Sequence, residues 1–366
     1  MRRLSDTIGR LVAARGVGEG MAPAGTDRLT DLTGFGRNPG NLRARLYVPA
    51  SVGPRPALVV VLHGCTQTAA GYDIGSGWSR LADEAGFVLL FPEQQRANNP
   101  NLCFNWFATE DMSRDHGEAF SIREMIVATI AAHDVDSTRV FVTGLSAGGA
   151  MTAVMLATYP ELFAGGAVIG GLPYGTAAGV VQALDRMRGH AMPDAAALDT
   201  LARGASTHHG GWPTLSIWHG DADATVHAAN AEAILAQWRG LHDVPEAPSS
   251  CETIAGHPHR TWRDAGGRAV IEDHRILGMG HGTPIATRGP EACGTAGAFM
   301  LDVGVSSTRR IAAFWGIAPM PAAIAAPATA PAPQRLRSVP GIAVPAALKG
   351  PATVINDALR AAGLLR

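Results

Sequence analysis

An apolar, β-branched run, Val140-Phe-Val-Thr143, passes straight into Gly144-Leu-Ser-Ala-Gly148, and good helix formers follow from Ala150 to Tyr159. Few local patterns restrict a fold as strongly. The order predicts a strand, a very sharp turn and a helix. Glycine on both sides removes side chains that would collide with the neighbouring strand and helix. Such a turn holds Ser146 in a strained conformation with its Oγ pushed out above the sheet. The helix beyond it aims its first N–H groups at the same place, where negative charge can be held. In a chain with 44 glycines the pattern also arises by chance, as a glycine-rich turn with no chemistry. Context has to decide between the two.

The context is a series of strands and helices. Residues 43–49 read as a strand, and Ala57-Leu-Val-Val-Val-Leu62 is an apolar run suited to a strand buried on both faces. Trp78 to Ala85 reads as a helix with Gly86 as its C-cap. Phe87 to Phe91 is a strand stopped by Pro92, and Arg123 to Ala132 is helical. Further strands are predicted at 165–171, 214–218 and 270–277, the last of the series, with a helix at 231–241. This alternation implies a mostly parallel sheet covered on both faces. With the serine turn it predicts an α/β fold of the α/β-hydrolase type, whose nucleophile elbow has this form. Ligands of such sheets bind beyond the carboxyl ends of the strands. That rule selects the loops at 63–68, 145–149, 219–227 and 278–284.

A net charge of −1 gives no electrostatic reason to expect nucleic acid or an anionic membrane as partner. No apolar run approaches the ~18 residues needed to span a bilayer. The first 15 residues are basic, but Asp6, Arg10 and Arg15 interrupt every apolar stretch, so no Sec signal peptide is expected and the compartment stays open. Leu4, Ile8, Leu11 and Val12 fall at helical spacing instead. The expected organisation is an N-terminal extension over 1–29 with that short helix, a catalytic body over 30–317, an Ala/Pro-rich stiff linker over 318–340 and a tail helix within 341–366. The tail helix could dock on its own chain or on a partner. The four cysteines, Cys65, Cys103, Cys251 and Cys293, lack zinc-site spacing, and free thiols and two disulfides both remain open. Oligomeric state is not legible.

A serine nucleophile needs a base and a group to orient that base, in the chain order Ser, Asp or Glu, His. Asp221 and Asp223 both lie in the loop after the 214–218 strand. Asp221 suits a turn residue bonding backbone, so Asp223 is the expected acid. Six histidines follow it. His274 falls within a strand, His227 and His242 border a helix, and His257 and His259 flank Pro258 in a polar loop. His281, in Gly278-Met-Gly-His-Gly282 after the last strand, has the correct order and sheet edge. It is the expected base, with His259 as runner-up. Two N–H donors should hold the oxyanion, one from Ala147 and one from Cys65, where Gly64 permits close backbone approach.

Leu62-His-Gly-Cys-Thr-Gln67, Phe91-Pro-Glu-Gln94, Cys103-Phe-Asn-Trp-Phe107, Gly144-Leu-Ser-Ala-Gly-Gly149, His219-Gly-Asp-Ala-Asp-Ala-Thr-Val226 and Gly280-His-Gly282 occur in this order. In these motifs the chain resembles the esterase/polyhydroxybutyrate (PHB) depolymerase family of short-chain-length type, related to feruloyl and acetylxylan esterases. The resemblance covers about residues 30–317. It implies a serine hydrolase of poly(3-hydroxybutyrate) or similar oligoesters, with Ser146, Asp223 and His281 as triad and Cys65 and Ala147 at the oxyanion hole. No metal or organic cofactor is implied. Trp106 corresponds to an aromatic near the substrate crevice, though a core aromatic fits equally. His63 and Thr66 are the other expected substrate contacts, and residues 174–212 are expected to shape the crevice. Secreted relatives imply a Cys65–Cys103 bridge, which would leave Cys251–Cys293 as a second pair. The lack of an export signal and the short tail favour soluble or amorphous polyester and small esters over solid polymer. A feruloyl or acetylxylan esterase and a non-catalytic polymer-granule binder are the alternatives.

Overall fold

The computed structural model describes residues 25–320. The expected N-terminal helix, most of the Ala/Pro linker and the tail helix lie outside the described residues. Strands β1 (Thr30–Asp31), β2 (Arg43–Tyr47) and β3 (Leu58–Leu62) come first. Helices α1 (Ala69–Ser76) and α2 (Trp78–Ala85), strand β4 (Val88–Glu93), the one-turn α3 (Thr109–Met112) and the long α4 (Gly117–His133) follow. Strand β5 (Val140–Leu145) leads into α5 (Ala147–Thr158), and β6 (Gly165–Ile169) into α6 (Val180–Met187) and α7 (Ala195–Arg203). After β7 (Thr214–Gly220) and α8 (Ala229–His242) come β8 (Ser250–Ile254), β9 (His257–Arg263) and β10 (Ala269–Ile276). The short β11 (Thr283–Ile285) and β12 (Met300–Asp302) pair with each other, and α9 (Ser307–Phe314) ends the described chain.

Ten strands form one sheet in the order β1-β2-β4-β3-β5-β6-β7-β10-β9-β8. The six from β4 to β10 in that order are parallel, and antiparallel strands flank them on both sides. The period-2 alternation of β3 accounts for the two cores. Leu58, Val60 and Leu62 pack on one face with α4, α5 and α8, while Val59 and Val61 pack on the other with α1, α2 and α9. The central strands thus carry apolar residues on both faces, which is why they read as continuous apolar runs.

Three sequence expectations are corrected. His257 and His259 lie in β9, not in a loop, because this polar segment pairs with both β8 and β10. The strand ending near 277 is not the last, since β11 and β12 follow. The second disulfide is also corrected. Cys251 is exposed on the edge strand β8, and Cys293 is a buried thiol whose Sγ donates to the Gly77 carbonyl at 3.3 Å. A cysteine count limits pairings but does not choose among them. The Cys65–Cys103 bridge is present.

Several histidines are buried as neutral rings. Burial lowers the pKa of His63 and His219, and takes that of His242 down to about 4. In the unfolded chain each titrates near ~6.5. Below that pH the unfolded state binds protons that the folded state refuses. Their contribution is therefore present above ~6.5 and is lost as pH falls toward the folded pKa. Stability from urea unfolding is expected to fall between pH 7 and pH 5 by up to about 1.4 kcal/mol per pH unit for each such ring. His242→Asn should remove one ring's share of that slope; an unchanged slope would refute the assignment.

Candidate active site

The elbow has the form its sequence predicts. Ser146 has φ 57° and ψ −116°, a conformation an L-residue adopts only under strain. Its N–H donates to Ile169 O at 2.9 Å, so β6 holds the turn from one side. A Cβ on Gly144 would lie 2.4 Å from the Gly148 carbonyl, and one on Gly148 would lie 2.3 Å from Leu62 O and 2.5 Å from His63 O. Both glycines are dictated by backbone contact. Helix α5 starts at Ala147, three residues earlier than its composition suggested, because the small Ala147-Gly-Gly149 segment can sit against β3 and β6. Gly148→Ala is expected to cost about 1–3 kcal/mol of stability. Since its Cβ pushes on the loop that carries Cys65, ester turnover should also fall on the order of 10²-fold. Melting temperature and kcat/KM check both effects.

The loop after β3 is pinned beside the elbow. Gly64 lies against Leu145 O, and the Cys65–Cys103 disulfide and a Thr66 N–H···O Asn101 bond of 2.7 Å tie the loop to the 101–103 segment. That segment is anchored in turn. Buried Glu118, at the start of α4, accepts from the Asn105 N–H and Nδ2, each at 2.8 Å, and from Gln94 Nε2 at 2.6 Å. Among the described residues, neither Cys65 nor Ala147 donates its N–H to a backbone acceptor. Both N–H groups are thus free of a backbone acceptor, as oxyanion donors must be.

Asp223 and His281 meet across two laced loops. His281 Nδ1 donates to Asp223 Oδ2 at 2.6 Å. Asp223 Oδ1 accepts the N–H groups of Thr225 and Val226, both at 2.8 Å. Burial opposes ionisation of Asp223, but His281, His219 and these N–H groups outweigh it and hold its pKa below the usual value. Asp221 takes a different part. Its Oδ1 accepts the Gly278 N–H at 2.6 Å and so fixes the loop that carries the histidine. Gly220 is required there, since a Cβ would lie 2.1 Å from Met279 O. The His281 ring sits over Gly170, where a Cβ would come within 3.3 Å of Cε1. Gly170 directly follows Ile169, the residue that holds the Ser146 backbone. The loops at 219–227 and 278–284 thus meet beside the end of β6, and the 63–68 loop lies against Leu145.

His259, the runner-up base, is not part of this cluster; it faces Glu272 within the sheet. The expected substrate contacts divide. His63 is 1% exposed, with Nδ1 donating to Gly64 O at 2.8 Å and Nε2 accepting from the Gln94 N–H at 3.1 Å. Both nitrogens are engaged, so it clamps β3 to β4, and a substrate-contact role is withdrawn. Trp106 is 7% exposed and packs edge-on to Phe107 in the core, which favours the core reading. Thr66 is exposed beside Cys65. Sequence reading missed Gly170 and the Gln94–Asn105–Glu118 anchor. No local pattern signals either, because their partners are distant in the chain. Residues 174–212 carry α6 and α7, and Val180 and Val181 on α6 are exposed.

The chain matches the family described as Esterase PHB depolymerase over residues 42–262. It belongs to that family. It is 46% identical over 291 residues to poly(3-hydroxyalkanoate) depolymerase C of Paucimonas lemoignei, covering 79% of this chain and 70% of that one. It is 33% identical to acetylxylan esterase A of Aspergillus oryzae, over 64% of this chain and 79% of the other. Among solved structures, the acetyl xylan esterase from Aspergillus awamori superposes with a TM-score of 0.68 at 26% identity, covering 80% of this chain and all of the other. Membership makes this chain a carboxylic ester hydrolase with the α/β-hydrolase fold. No described helix is long and apolar enough to cross a membrane.

Proposed function

We propose that this esterase/PHB depolymerase family member hydrolyses poly(3-hydroxybutyrate) or a related short-chain polyester through a Ser146-His281-Asp223 triad. The observation that carries the triad is the 2.6 Å His281–Asp223 bond, with the ring over Gly170, one residue beyond the Ile169 carbonyl that holds the Ser146 backbone. Because Nδ1 carries the proton given to Asp223, Nε2 is left as the acceptor for the Ser146 proton. The serine Oγ attacks the ester carbonyl, and the N–H groups of Cys65 and Ala147 take up the oxyanion charge. His281 passes the proton to the leaving alcohol. Water then cleaves the acyl-enzyme by the same proton route, and Asp223 stabilises the transient imidazolium. No step needs a metal or organic cofactor.

The greater identity to a named polyester depolymerase favours the polyester substrate. The superposition on an acetyl xylan esterase supports a second reading, a short-chain esterase of plant-wall acyl groups. Release of hydroxybutyrate from soluble oligomers and amorphous polymer, set against release of acetate from acetylated xylan, separates them. Preferential release from xylan would overturn the polyester assignment. Stoichiometric labelling of Ser146 by a fluorophosphonate is expected, and a folded chain that takes no label would instead be a binder on a hydrolase scaffold.

A further inference from the structure

We propose that His259, Glu272 and His274 form a binding site for a divalent transition-metal cation of the Zn2+ class. The site lies within the sheet, apart from the reacting groups. Glu272 and His274 are two apart on β10 and so face the same side. His259 stands directly opposite His274 on β9. Two histidines and a carboxylate are a donor set that suits Zn2+, with water completing the coordination.

Glu272 reaches both histidines, one carboxylate oxygen to each. His259 Nε2 lies 3.4 Å from Glu272 Oε2, and His274 Nε2 lies 3.4 Å from Glu272 Oε1. The edge of a tetrahedral site with bonds of about 2.1 Å is about 3.4 Å. One donor atom from each residue lies within 4.8 Å of the others, so a cation would draw the donors inward to reach that edge. The second, independent observation is His274 itself. It is 4% exposed, and its Nε2 has no hydrogen-bond partner. A buried ring nitrogen left unpaired is costly. A simple hydrogen-bonded cluster accounts for His259 with Glu272 but gives this nitrogen only a long, 3.4 Å approach to Glu272 Oε1; a cation would supply a full partner.

The surroundings pack the donors closely, and a cation would tilt the His259 and His274 rings beyond their present 29° so that both nitrogens point at it. The His274 ring is packed between Trp218, stacked at 3.7 Å and 7°, and His259, stacked at 4.3 Å. Ser216 Oγ donates to Glu272 Oε1 at 2.6 Å and accepts from Trp218 Nε1 at 2.8 Å. The His259 side chain, 13% exposed, gives solvent a way in. Exposed Glu252 stands opposite His259 on β8 and adds negative charge on that side. A cation here would tie β9 to β10 just before the loop that delivers His281. Its role is structural.

The test uses the full chain, stripped with a chelator and titrated calorimetrically with ZnCl2, with Co2+ absorption reporting the coordination geometry. One tight equivalent is expected, with a higher melting temperature when loaded. His274→Gln and Glu272→Gln should weaken that equivalent by at least about tenfold. His259→Asn, at the accessible rim, should do the same in a chain that keeps its ester turnover, which guards against misfolding of the buried variants. Failure of the wild-type chain to bind, or equal binding in wild type and His259→Asn, would overturn the proposal.

Discussion

Ser146→Ala is expected to lower turnover of p-nitrophenyl butyrate by roughly four to six orders of magnitude. The fold should survive, because Ser146 makes its structural bond through its backbone N–H to Ile169 and not through Oγ. Alanine also keeps the same backbone strain, so the melting temperature should hardly move. Ser146→Gly separates the two properties. Glycine tolerates φ 57°, ψ −116°, so it should relieve part of the ~1–3 kcal/mol that such a conformation costs. The glycine variant should therefore be inactive and melt above the alanine variant. Near-wild-type turnover in either variant would remove Ser146 from the mechanism.

Asp223→Asn should lower kcat by about 10⁴ with little change in KM. The reason lies in how the carboxylate is held. Its Oδ1 position faces two backbone N–H donors, from Thr225 and Val226. An asparagine must place its carbonyl oxygen there, since an NH2 group would meet donors head-on. Its NH2 then faces His281 Nδ1 and donates to it. That bond selects the tautomer protonated at Nε2, which cannot accept the serine proton. A loss below tenfold would mean that the histidine is oriented by something else.

Much of this site could be read along the chain. Gly144 and Gly148 flank a serine after an apolar strand, and every part of that pattern is local. A strand ending in the elbow is buried on both faces, so its apolar run is continuous and visible. Asp223 and His281 followed from chain order and from the sheet edge. Asp221 shows where local reading stops. It was expected to bond its own turn, and it bonds Gly278 instead, 57 residues away in sequence. His63 sits beside Gly64 and Cys65 in sequence, yet its ring turns inward to Gln94. β9 was not visible because its polar residues carry no alternation; its strand form comes from pairing on both sides.

The sequence by itself determined the alternating strands and helices and the strained serine turn, since each depends on residues close together in the chain, and it put Asp223 and His281 in loops at one sheet edge. The tertiary structure decided which distant groups meet. It set the Cys65–Cys103 link over the other pairings, the two-sided grip on Asp223, the place of His281 over Gly170, and the gathering of His259, Glu272 and His274. Those contacts depend on strand register and loop closure, which no local pattern encodes.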